Sequence, residues 1–349
     1  MINCLHHFEI LTNSSEKLLN YFIKGFKFNL VNKINLDNRY TQYLINSNSI
    51  NFLITSLETN NKNEFNTSSK PVKNIDSIYK SSLITIEEYD KNLYNVIKSK
   101  NNSAYNVSFK VRDLDRILFN CRKNNVKIIK DRHSIKENVD CAIIRSCIDG
   151  VAHTLFDLNN YDGSFLFDSE ISNVKQNNLA THFDHLTYAT YKDTSTNVIQ
   201  WYKNIFNMKN IRINKEENAG LIVRTGKSGM NIRAMKYWLC AETGVELKQP
   251  INDHQNFKLV ISEPLEDDPF NNESAKNQIS IFLDENNGPG VQHIGFHTDN
   301  IVNSVRETKN NCDQVKYYVT PDSYYDNVEI ILKFSFLKIQ MTNIFFLEG

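Results

Sequence analysis

"GPGVQHIGFHTDNI" (residues 288–301) runs a glycine-proline-glycine turn straight into an apolar stretch that carries His293 and His297. Apolar residues around a histidine predict a half-buried strand, with every second side chain on one face. His293 then shares its face with Gly295, a small neighbour that leaves room beside the imidazole. Asp299 falls where a helix N-cap is wanted, just ahead of an amphipathic run from Ile301. The stretch therefore reads as turn, strand, cap and helix.

The same order recurs. "VSFKVRDLDRILFNCRKNNVKIIK" (107–130) reads as a strand, a helix led by Asp113, and a second strand. Leu114, Ile117, Leu118 and Cys121 stand at helical spacing within it. "HHFEILTNSSEKLLNYFIKGFKF" (6–28) and "DHLTYATYKDTSTNVIQWYKNIFNM" (184–208) form another matching pair of strand, polar break and amphipathic helix. Such self-similarity predicts two tandem modules, residues 3–158 and 182–349, each holding two strand-helix-strand units. Units of this kind predict an α+β fold of open, cupped, mixed sheets with helices outside and a concave inner face for a site.

Bulk composition narrows the function. The 349 residues suggest about two domains. Forty basic residues balance forty acidic ones, so no nucleic-acid or membrane-surface footprint is expected. No apolar run reaches the roughly 18 residues of a membrane span. The amino-terminal "MINCLHHFEI" goes almost at once into a strand pattern without a targeting signature. A cytoplasmic protein is expected, with a mitochondrial location as the alternative. The six cysteines lack CxxC spacing, which argues against a zinc knuckle and for reduced thiols. Asparagine-rich stretches at 59–75 and 265–278 are expected to be loops.

The candidate site lies in the second module. His185 shares a strand face with Thr187 and Ala189. Glu348 ends an apolar strand on the face of Ile344 and Phe346. A carboxylate there is costly to bury unpaired, and a metal ion would resolve that cost. Two neutral imidazoles and one carboxylate make the facial set that leaves ferrous iron with open positions. A histidine in a strand can equally be a hydrogen-bonded core residue, and spacing leaves both readings open. His6, His7, His133, His153, His182, His254 and His297 are read as such residues.

"THFDHLTYAT", "WYKNIF", "KNQISIFLDENNGPGVQHIGFHTDNI", "YYVTPDSYYDNV" and "TNIFFLEG" together resemble the 4-hydroxyphenylpyruvate dioxygenase family. These are tandem vicinal-oxygen-chelate proteins built from paired βαβββ units. The resemblance is closest to the dioxygenase-like branch, strong over 182–328, and carried over 1–158 by the repeat plan alone. It implies one ferrous ion, Fe(2+), per chain, held by His185, His293 and Glu348. It implies an aromatic 2-oxo acid and O2 as substrates, with Gln278 and Gln292 at the substrate site, and a homogentisate- or 4-hydroxymandelate-type product. Tyr324 and Tyr325 also match and are assigned to structure.

The first module carries His7, Asn106 and Asp157 at the equivalent places and is expected to be scaffold. Departures accompany the match. Lys333, Ser335, Ser262 and Ala234 replace family residues, and the family's closing helix has no counterpart after Glu348. A catalytically impaired binding or regulatory member of the same fold is therefore the alternative to the enzyme. An extradiol dioxygenase or a glyoxalase is a third reading, opposed by the Gln-His turn. A homodimer remains open.

Overall fold

Eight apolar-rich segments of the first half pair into one mixed sheet. They are β1 (Ile2–Thr12), β2 (Asn29–Leu36), β3 (Tyr40–Ser47), β4 (Ile50–Leu57), β5 (Ser103–Val111), β6 (Ile128–Lys136), β7 (Val139–Arg145) and β8 (Ala152–Asp157). Their order is β2-β3-β4-β1-β5-β8-β7-β6. The computed structural model describes residues 2–36, 39–57, 82–100, 102–136, 139–157, 179–211, 221–225, 228–236, 258–265, 277–313 and 315. Glu348, Tyr324, Tyr325, Lys333, Ser335, His254 and the stretch 59–75 lie outside the described residues.

A second mixed sheet contains β9 (His182–Ala189), β10 (Lys209–Ile211), β11 (Leu221–Thr225), β12 (Ser228–Lys236), β13 (Lys258–Pro264) and β14 (Gly290–His297). Its order is β10-β12-β13-β9-β14, with β11 paired to β12. The first strand of each sheet has the same neighbours. β1 runs parallel to β4 and antiparallel to β5, as β9 runs parallel to β13 and antiparallel to β14.

Helices fill the connections. α1 (Ser15–Asn20) continues into a π-helical turn, Tyr21–Gly25, and α5 (Ser195–Phe206) is its counterpart after β9. α2 (Ser82–Tyr89) and α3 (Lys91–Ser99) precede β5, as α6 (Gln278–Glu285) precedes β14. α4 (Leu114–Lys123) follows β5, as α7 (Ile301–Asn311) follows β14. Asp113 caps α4 by accepting from Arg116 N at 2.9 Å, as the sequence predicts. α7 is capped by Asn300 rather than Asp299. The Asn300 carbonyl accepts the first helical bond, from Ser304 N, and its side chain accepts from Asn303 N at 3.0 Å.

One hydrophobic core spans both halves. Phe183 packs on Phe8 and Phe52 with ring centroids 5.1 and 5.6 Å apart, and Phe296 packs on Phe52 at 6.1 Å. Each buried aromatic of this size contributes about 1.5–3 kcal/mol. α4 meets α5 at the junction, where Asn120 donates to the Ile205 carbonyl and Phe206 packs on Phe109. α4 and α5 thus lie between the two sheets, whereas α2, α3 and α6 pack on the sheet faces turned away from that junction. His7, Glu9 and Asn106 occupy the opposite face of the first sheet, and His185, Thr187 and His293 that of the second. No helix among the described residues is long and apolar enough to cross a membrane.

Candidate metal centre

β9 and β14 bring His185 and His293 together. Gly295 stands opposite His185 in the antiparallel register, and His293 opposite Thr187. The pairing slips twice, between Val291 and His293 and between Gly295 and Phe296. Each slip is a bulge, which lets two successive residues serve one side of the sheet. One bulge accommodates Gln292 beside His293, and the other Asp184 beside His185. Alternation alone would have turned Gln292 and Asp184 away.

The two Nε2 atoms lie 3.3 Å apart, with the rings nearly perpendicular at 88°. Nδ1 of His185 donates to Asp184 Oδ2 at 2.8 Å, and Nδ1 of His293 to Gln292 Oε1 at 3.1 Å. With each Nδ1 turned to an acceptor, the two Nε2 atoms face each other and are the ring positions left for a further partner. Thr187 Oγ1 lies 2.9 Å from His293 Nε2. Two nitrogen ligands about 2.1 Å from one ion, at near-right angles, sit about 3 Å apart. The pair fits two neighbouring positions on one metal ion.

Electrostatics favour the same arrangement. Burial, and next the neighbouring His185, push the His293 imidazole down to about 3, so its nitrogen stays neutral and able to donate. Asp184 also receives Lys258 Nζ at 2.6 Å. Burial works against that carboxylate's charge, but hydrogen bonds from His185 and Lys258 outweigh it and hold it well below the usual range. Lys258 reaches Asp184 because β13 lies parallel to β9 with Lys258 in register with His185.

The gap expected beside the histidines is filled by one of them. A Cβ on Gly295 would lie 2.3 Å from His185 Cε1 and 2.4 Å from its Nδ1. Glycine at 295 is what lets the His185 ring lie across β14 toward His293.

The other candidates are placed differently. Gln292 is buried against His293. Gln278 is exposed in the first turn of α6, with its amide 3.5 Å from Met230 Sδ. Glu348 lies outside the described residues, and no group of three metal-binding side chains occurs among those described. Sequence reading missed Asp184 and Lys258, and put Thr187 on the site's face without giving it a role. Asp184 was legible as the residue before His185, whereas Lys258 needed the parallel register.

The first sheet carries the corresponding positions without an open pair of imidazoles. His7 stands opposite Ser108 and Glu9 opposite Asn106, matching the register of His185 with Gly295 and Thr187 with His293. The Asn106 amide nitrogen, with two protons, lies within hydrogen-bond reach of Glu9 Oε1, Ser82 Oγ and Thr154 Oγ1, and Tyr105 donates to Glu9 Oε2. These side chains are fully buried beneath α2 and satisfy one another. Asp157 stands apart from this group, 3.7 Å from Arg132 at the end of β8. Thr154, not Asp157, meets Asn106.

No family model matches the chain. Individual proteins do. The 4-hydroxyphenylpyruvate dioxygenase of Dictyostelium discoideum is 24% identical over 244 residues, covering 67% of this chain and 59% of that protein. An uncharacterised 4-hydroxyphenylpyruvate dioxygenase-like protein of the same organism is 22% identical over 389 residues, covering 96% of this chain and 75% of the relative. Among solved structures, a triple mutant of 4-hydroxymandelate synthase from Streptomyces coelicolor superposes with a TM-score of 0.65 at 15% identity. It covers 95% of this chain and 81% of that one. The two mixed sheets with their helices fit the vicinal-oxygen-chelate fold. Within that class, the chain is similar, at low identity, to proteins named 4-hydroxyphenylpyruvate dioxygenase and 4-hydroxyphenylpyruvate dioxygenase-like.

Proposed function

We propose that this chain is a ferrous-iron dioxygenase of an aromatic 2-oxo acid such as 4-hydroxyphenylpyruvate, with His185, His293 and Glu348 as the iron ligands. The observation that carries the reading is the pair of Nε2 lone pairs converging at 3.3 Å on neighbouring strands. Two such atoms, when both carry lone pairs, repel each other until a proton or a metal ion is shared between them, and a metal ion is the partner we propose. When bound, ferrous iron supplies a Lewis-acid seat for the 2-oxo acid and the redox chemistry for dioxygen.

The chain's own residues prepare that seat. Asp184 and Gln292 hold the Nδ1 protons, so each imidazole presents Nε2 and cannot swing away. Lys258 keeps Asp184 charged. Gly295 sets the spacing between the rings. Gln292, and Gln278 at the start of α6, are proposed to face the substrate. The first module, 3–158, serves as scaffold because its equivalent positions are closed by their own hydrogen bonds. Homogentisate-type and 4-hydroxymandelate-type products share these ligands and differ in how the ring is held.

The test is anaerobic ferrous iron titration of the full chain and of His293→Ala, followed by oxygen uptake with 4-hydroxyphenylpyruvate and product analysis. One iron per wild-type chain, lost in the variant, with hydroxylated product formed, supports the reading. Equal iron content in both proteins overturns it. Iron binding without oxygen uptake favours the alternative, a binding or regulatory protein on the same fold.

A further inference from the structure

Lys100 follows α3 in the first half of the chain, yet its ammonium is spent on the second half. The residue is 3% exposed. Its Nζ donates to the carbonyls of Asn286 at 3.1 Å, Asn287 at 3.3 Å and Pro289 at 2.9 Å. An ammonium has three protons, and each finds one backbone oxygen. The acceptors belong to the turn that ends α6 and starts β14. Carbonyls at a helix C-terminus have no partner within the helix and carry the negative end of its dipole, so a cation is favoured there.

The surroundings are shaped to this side chain. Gly150 lies against the lysine stem, where a Cβ would meet Lys100 Cε at 2.4 Å. Asn287 and Gly288 take positive φ values of 55° and 111°, which directs successive carbonyls inward. Asn286 Nδ2 closes the turn from the other side by donating to the carbonyls of Gly288 and Pro289. Burial lowers the ammonium's proton affinity, while the more distant Asp149 raises it. Taking a charge out of water is costly, and an arrangement that saturates it persists only when its geometry is close to optimal.

What this turn positions is the metal-ligand strand. β14 begins at Gly290 and bulges at Gln292 before His293. We infer that Lys100 is a positioning residue for the metal centre: by clamping the Asn286–Pro289 turn, the first half of the chain sets where β14 starts and so holds His293 Nε2 against His185 Nε2. The inference rests on the proposed reading of His293 as a ligand, but the clamp itself can be tested without metal.

The experiment compares full-length wild type, Lys100→Met and Lys100→Ala by Co2+ titration, with Co2+ standing in for ferrous iron, and by amide hydrogen exchange of the metal-free proteins. Methionine keeps the stem and removes the ammonium's bond to each of the three carbonyls, leaving Pro289 only its bond from Asn286 Nδ2. The expected result is a Co2+ Kd raised at least tenfold in Lys100→Met, with exchange accelerated over residues 286–297 and unchanged over 103–111. In Lys100→Ala, n-propylammonium, which replaces the missing part of the side chain, should restore both readouts. Affinity within twofold of wild type overturns the inference. So does acceleration spread equally over both halves, which marks Lys100 as a general brace, and so does failure of the amine to restore a folded Lys100→Ala. If wild type binds no Co2+, the metal reading fails by itself. The exchange arm still decides the clamp, because unchanged protection at 286–297 overturns it.

Discussion

Gly295 lies directly opposite His185 across the β9–β14 pair, and the imidazole of His185 occupies the space that a side chain at 295 would need. The ring can point at His293 only because residue 295 ends at its Cα. A methyl group there forces His185 off its course or the strands apart. Gly295→Ala is expected to weaken Co2+ or ferrous iron binding at least tenfold, with a stability loss of about 1–3 kcal/mol. Metal titration alongside urea unfolding checks both; unchanged affinity would show that the ring relaxes without losing its aim.

Asp184 joins His185 to Lys258 across two strands. Removing a group that orients a ligand histidine typically costs 10–100-fold in metal affinity. Asp184→Asn is expected to fall in that range. Lys258→Met should cost less, since Asp184 keeps its bond to His185. Isothermal titration of each variant checks the order, and an effect of Lys258→Met larger than that of Asp184→Asn would reverse the assigned roles.

Asn106 holds the first half's counterpart of the site together. Its amide serves Glu9, Ser82 and Thr154, and its Oδ1 accepts from Thr154 N at 3.0 Å. Asn106→Ala leaves a buried carboxylate and a buried amide short of partners, at a cost of about 2–4 kcal/mol. Chemical denaturation should show that loss. A drop below about 0.5 kcal/mol would mean that water or neighbouring groups take over the bonds.

His153 couples folding to pH. Its ring is fully buried, with Nδ1 3.0 Å from the Val107 carbonyl and Nε2 2.8 Å from the Tyr202 hydroxyl of the other half. Burial pushes the imidazole down to about 4, against a partial upward pull from the Val107 carbonyl. The unfolded chain, titrating near 6.5, binds the proton more readily than the native one. The contribution is therefore whole above about pH 6.5 and is lost as pH falls toward 4, amounting to about 3 kcal/mol. Urea midpoints between pH 7.5 and 4.5 should decline less steeply in His153→Gln than in wild type. Parallel slopes would assign the decline to other groups.

Much of this was legible in the chain because it is written in short-range patterns. Period-two apolar runs marked β1, β5, β9 and β14, and helical spacing with an Asp113 cap marked α4. The recurrence of both predicted matching strand arrangements, and the turn before Gln292 and His293 pointed to the family. Face assignment worked for His185 and Thr187 because both lie in an unbroken stretch of β9.

What the sequence could not supply depends on partners far along the chain. The bulges that bring Asp184 beside His185 and Gln292 beside His293 arise from how two strands pair, and alternation within either strand says the reverse. Gly295 read as an empty place beside His293, whereas the packed sheet fills that place with the ring of His185. Lys258 and Lys100 look like ordinary charged residues until a parallel register and a helix end bring oxygens to their ammonium groups. Local order is set by backbone and side-chain preferences over a few residues. The site's geometry is set by packing between segments 74 to 186 residues apart, and only the folded chain brings those segments together.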